Sequence, residues 1–104
     1  GVTQNRNRND EAEVTQPLHI EKALLLYPNP TNGVLFADLS DWAGENLALR
    51  VLDSRGQLVH SASSLADWNA QPVQLPESLP NGLYFLEITT ESGEKEVARF
   101  VLEH

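Results

Sequence analysis

The chain has 104 residues, seven Lys and Arg against fifteen Asp and Glu, and a formal net charge of −8. One domain is the size expectation, and a chain this long buries enough surface for one modest core. The acidity argues against nucleic acid and against an anionic membrane surface, since both need a basic patch. No apolar run approaches the ~18 residues that a spanning helix requires. The chain has no cysteine, which excludes a thiol nucleophile, a disulfide and a Cys-type zinc site.

Residues 1–17 read GVTQNRNRNDEAEVTQP, with little apolar content and no apolar stretch suited to a secretory leader. Such a stretch cannot bury enough surface to offset its ordering entropy, so it reads as a flexible linker. A fragment cut from a larger precursor would have lost any leader. From Leu18 onward short apolar runs alternate with turn signals, and residues 18–104 read as one folded unit.

The turn signals are Pro28-Asn29-Pro30, Asn32-Gly33, Asp53-Ser54-Arg55-Gly56, Asn81-Gly82 and Ser92-Gly93. Asn-Gly supplies positive φ at low cost, and Asp at the first turn position with Gly at the fourth suits a type I turn. Between them lie seven candidate strands, at 20–27, 34–39, 47–53, 57–63, 72–75, 82–90 and 94–102. Leu47, Leu49 and Val51 fall on one face of their strand. Tyr84, Leu86 and Ile88 do the same, as do Ala98, Phe100 and Leu102, which leaves Arg99 facing outward. Ser63 to Trp68 has the makings of a single helical turn, too short to persist alone. Hairpins are expected at Asp53–Gly56 and at Glu91-Ser92-Gly93, the last strand lying beside the sixth. Short strands at regular spacing, without a ten-residue helical pattern, point to an all-β, immunoglobulin-like antiparallel sandwich.

Four landmarks then stand in order: Leu26-Tyr27-Pro28-Asn29-Pro30-Thr31-Asn32-Gly33, the run from Leu49 through Asp53 and Gly56 to Val59, the run from Leu79 through Asn81-Gly82 to Ile88, and Val97 to Val101. Over roughly 25 to 102 this resembles the type A C-terminal sorting domain of the Bacteroidetes type IX secretion system. The resemblance implies a non-catalytic secretion signal at the C-terminus of a cargo protein. Its partners would be the type IX translocon and shuttle components, and a sortase-like surface peptidase that cuts in the linker ahead of about Lys22. It implies export through the periplasm to the outer membrane, cell surface or medium; the residues themselves give no reason to expect direct membrane insertion, a cofactor or a metal. The family's last strand usually carries more lysine; here Lys95 to Arg99 holds one Lys, one Arg and one Glu. Leu102-Glu103-His104 resembles the start of a vector-encoded tag, which would end the native chain near Val101, and Gly1 resembles a cloning scar.

The recognition candidates are Lys95, Arg99 and Val101 on the last strand, whose exposed edge has the form that adds to another sheet. Pro28, Asn29, Pro30, Asn32 and Gly33 are a second set, although turn chemistry alone explains them. Asp53, Gly56, Asn81 and Gly82 read as structural turns. Trp42 and Trp68 each follow an aspartate, and each is expected to plug one end of the sandwich. Their alternative role, stacking on sugar rings, would make the domain a carbohydrate-binding or adhesive accessory of an exported enzyme. A structural spacer is a third class that the fold admits. Asp38, Ser40 and Asp41 offer oxygens that a calcium ion accepts, but without an Asp-x-Asp-x-Asp-Gly loop. No nucleophile elbow, His-Glu-x-x-His or glycine-rich phosphate loop is present, so catalysis is not expected.

Overall fold

A computed structural model describes residues 22–104. The expected linker at 1–17 and the first positions of the expected strand 20–27 lie outside the described residues. Among the described residues seven strands form two antiparallel sheets: β1 (Leu25–Tyr27), β2 (Val34–Asp38), β3 (Asn46–Asp53), β4 (Leu58–Leu65), β5 (Gln71–Gln74), β6 (Gly82–Thr89) and β7 (Lys95–Leu102). One sheet has the order β1-β2-β5, the other β4-β3-β6-β7. The chain therefore crosses between sheets three times, as an immunoglobulin-like sandwich requires.

Period-two patterning decides which side of each strand is buried. Leu47, Leu49 and Val51 of β3, Tyr84, Leu86 and Ile88 of β6, and Phe100 and Leu102 of β7 face Leu35 and Ala37 of β2 and Val73 of β5 across the core. Phe100 is fully buried and stacks on Tyr84 at 5.9 Å between ring centroids. Arg99 is exposed on the opposite face, as the alternation requires. Leu102 has no exposed surface either, and the Glu103 N–H donates to the Thr31 carbonyl at 2.8 Å. Leu102 is thus a core residue of the sandwich, one pleat beyond Phe100.

Two smaller expectations also change. The first strand begins only at Leu25, because the Ala23 N–H donates to the Asp41 carboxylate at 2.8 Å instead of joining a ladder. The one helical turn among the described residues is a 3₁₀ turn at Ser40–Trp42, whereas Ser63 to Leu65 continue β4. β4 reaches that far because it pairs with β3 up to Leu65↔Asn46, which overrides its weak local signal.

Candidate functional site

The antiparallel pairing sorts the loops onto two poles. β3 and β7 start, and β6 and β4 end, at the pole where the chain arrives from its N-terminal side. There the Lys22 ammonium lies 5.8 Å from the centre of the Trp42 ring and 3.7 Å from Glu45. Trp42 is 3% exposed and seals this end, as expected of it. Trp68 does not: it is 81% exposed, in the loop from β4 to β5, and plugs nothing. Asp38 accepts the Ser40 hydroxyl at 2.7 Å and the Ser40 N–H at 3.0 Å. The Ser40 hydroxyl, then its N–H, hold the Asp38 carboxyl below its usual pKa. With Asp41 taken by Ala23, these oxygens serve the 3₁₀ turn, and no group of three His, Asp or Glu side chains suited to a metal occurs among the described residues.

The opposite, C-terminal pole gathers almost every motif singled out in the sequence. The turn Asp53–Gly56 joins β3 to β4, with Gly56 at φ 83°. The Asp53 carboxylate accepts the N–H groups of Arg55 and Gln57, each at 2.9 Å. The Gln57 N–H is the main cause of the lowered Asp53 pKa; burial opposes it, and the Arg55 N–H and charge assist it. The Asn81 side chain accepts the His104 N–H at 2.9 Å, and Gly82 pairs with Leu102. Tyr84, expected only as a core residue, also donates its hydroxyl to the Pro80 carbonyl at 2.6 Å. This return bond from an early strand residue to the chain just before it is the tyrosine corner of Greek-key sandwiches. Burial, then the Asp53 charge, raise the Tyr84 pKa. A cleft of about 230 Å³ lies here among Asp53, Arg55, Val59, Leu79, Leu83 and Tyr84.

The Pro28–Gly33 loop occupies the same pole and has a definite task. β7 is the outer strand of its sheet, and this loop covers the last part of its free edge. The Asn29 Oδ1 accepts the Val101 N–H at 2.9 Å, and the Thr31 N–H donates to the Val101 carbonyl at 2.9 Å. Thr31, itself buried, fixes the loop by donating its hydroxyl to the Val34 carbonyl at 2.6 Å, and the Gly33 carbonyl accepts the Leu75 N–H at 2.9 Å. Asn29 thus replaces a neighbouring strand with a side chain, which a period-based reading of the sequence does not reveal. Pro28, Asn29, Pro30 and Asn32 are nonetheless exposed.

The structure therefore unites Pro28, Asn29, Pro30, Asn32, Gly33, Asp53, Gly56, Asn81, Gly82 and Val101 at one pole. Lys95 lies at the far end of β7 and Arg99 between them. The outer face of this sheet adds Leu83, Phe85, Val97 and Val101 beside Arg99 and Lys95, in the cross-strand register Leu83↔Val101, Phe85↔Arg99, Glu87↔Val97 and Thr89↔Lys95.

The family described as "Secretion system C-terminal sorting domain" matches residues 25–103, the whole sandwich from β1 to one residue beyond β7. A search of curated proteins and a search of solved structures each found no match. With most of its length in the match and its landmarks in the expected order, the chain belongs to the type IX secretion C-terminal sorting domains, an export signal carried at the end of a cargo protein.

Proposed function

We propose that the sandwich is a non-catalytic address read from its C-terminal pole and from β7, while the cargo lies beyond the opposite pole. The supporting observation is that separation: the chain enters the fold beside Trp42, and the family motifs meet at the other end. A reader at the C-terminal pole meets the same surface whatever protein precedes Lys22. Its contacts are drawn from Lys95, Arg99, Val101 and the exposed Pro28–Gly33 loop; Asp53, Gly56, Asn81 and Gly82 shape the pole. On this reading the type IX translocon and its shuttle take the cargo through the outer membrane, and a sortase-like peptidase cuts in the linker ahead of Lys22, leaving the cargo on the surface or in the medium. A reporter ending in residues 1–104 tests it. The fusion reaches the surface of a type IX-competent cell and stays inside when the translocon is deleted; retention in both cells overturns the reading.

One observation favours a second reading. The flat, exposed ring of Trp68 is of the kind that stacks on sugars, and it belongs to a carbohydrate-binding accessory domain better than to an address. Glycan binding that disappears in Trp68→Ala would establish it. Trp42, being buried, has no part in it.

A further inference from the structure

The cations of the described chain are unevenly employed. Lys22 lies 3.7 Å from Glu45, Arg50 3.0 Å from Glu87 and Arg55 3.9 Å from Asp53. Lys95 and Arg99 have no acidic partner within 4 Å among the described residues, and both stand on β7.

β7 also has the incompletely covered edge. In an antiparallel pair the N–H and C=O of alternate residues point toward the partner and away from it. Those of Val101 point away from β6, because Asn29 and Thr31 hold them. The register runs unbroken from Gly82↔Leu102 to Thr89↔Lys95, so the backbone groups of Lys95, Val97 and Arg99 point the same way. The loop that serves Val101 does not extend to them. The side chains of these three residues share the outer face, with Val97, 50% exposed, between the two cations. The other edge of the sheet, β4, reads LVHSASSL and carries no Lys or Arg.

An open edge is a template for another strand. A second copy is a poor occupant. Paired antiparallel about Val97, two copies set Lys95 against Arg99, and like charges directly opposite are destabilising. A carboxylate-bearing strand meets the opposite condition.

We propose that Lys95–Arg99 is a strand-addition site for an extended acidic segment of the export receptor. The segment makes a backbone ladder with Val97 and Arg99, sets carboxylates against Lys95 and Arg99 and lays an apolar side chain beside Val97. The site rests on the sorting reading, which tells only that a receptor exists; the edge states what that receptor offers.

Two experiments test it. In the first, the isotope-labelled full chain is titrated with the synthetic peptide Ser-Glu-Thr-Val-Thr-Glu-Thr-Ser, whose two glutamates and central valine share one strand face, and with its counterpart carrying lysine in place of glutamate. The acidic peptide slows amide exchange at Val97 and Arg99 about tenfold or more and leaves Val101, already bonded, unchanged. No protection, equal protection by the lysine peptide, or protection along β4 overturns the proposal. Protection that appears without peptide as protein concentration rises assigns the edge to a second copy and overturns it too.

The second experiment uses export of the reporter fusion. Val97→Pro removes an N–H that points off the edge, so the β6–β7 ladder keeps its bonds, and proline is tolerated on edge strands. The folded variant loses export about tenfold or more, and the pair Lys95→Glu with Arg99→Glu does so through charge. Should Val97→Pro fail to fold, the charge-reversed pair decides. A folded variant exported at the wild-type rate overturns edge addition and leaves the sorting function standing. Retention of the unmodified fusion overturns the sorting function itself.

Discussion

The two halves of β7 are built by opposite rules. From Phe100 to Leu102 the strand is core on one face and sealed on its edge by Asn29 and Thr31. From Lys95 to Arg99 the inward positions are Glu96, exposed, and Ala98, half-buried, and no loop backbone bond among the described residues caps the edge. One half spends its side chains on burial, the other presents backbone and charge. A strand of eight residues can thus anchor a fold and still offer a docking edge, provided the two tasks fall on different segments. The Pro28–Gly33 loop draws the boundary, since its bonds reach only Val101 of β7 and Glu103 just beyond it.

The comparison is broken most strongly at the core end. Phe100→Ala is expected to cost about 3–5 kcal/mol and Leu102→Ala about 2–5, a large share of a small domain's stability, whereas Glu96→Ala stays within about 0.5 kcal/mol. Denaturant midpoints of the three variants measure the gradient along the strand. An intermediate effect belongs to the seal. Asn29→Ala deprives the Val101 N–H of its acceptor and costs about 0.5–1.5 kcal/mol. Its sharper signature is in amide exchange, where Val101 accelerates toward the rates of Val97 and Arg99. Unchanged protection at Val101 would mean that Asn29 seals nothing.

Smaller again is the effect of charge on the open half. Lys95→Glu and Arg99→Glu each move stability by less than about 0.5 kcal/mol, because neither cation has an acidic partner within 4 Å among the described residues. The last prediction concerns pH and the turns that frame the two poles. Asp38 and Asp53 both titrate below the ordinary 3.8 in the folded chain. They therefore stabilise the fold above that value, and the contribution disappears as pH falls through their folded pKa values. Stability of the wild-type chain should decline on acidification below about pH 4. In Asp53→Asn, which keeps the oxygen that Arg55 and Gln57 bond, the decline should be shallower. Tyr84 has the opposite sign: its raised pKa gives stability below 10.0 that is lost as pH climbs above it.

Much of this was legible from local pattern. Seven strands, two tight hairpins, the inward faces of β3, β6 and β7, and the outward Arg99 all follow from alternation and turn chemistry within a few residues. The family match spans the same seven strands. Other features needed the folded chain. Asn29 and Val101 are 72 residues apart, and no period or spacing shows that an amide side chain in a proline-rich turn takes the place of a strand. The two tryptophans sit in the same Asp-Trp dipeptide, yet Trp42 closes the core and Trp68 stands in solvent. The 3₁₀ turn carries the first under the incoming Lys22, while the second lies in the loop from β4 to β5, two residues beyond buried Ala66. Leu102 stands opposite Gly82 on β6 and is fully buried. Local sequence determined the strands and their faces, because side-chain alternation and turn geometry are short-range. Which edge was covered, which aromatic was buried and where the motifs met were decided by contacts between distant segments, which only the assembled sandwich brings together.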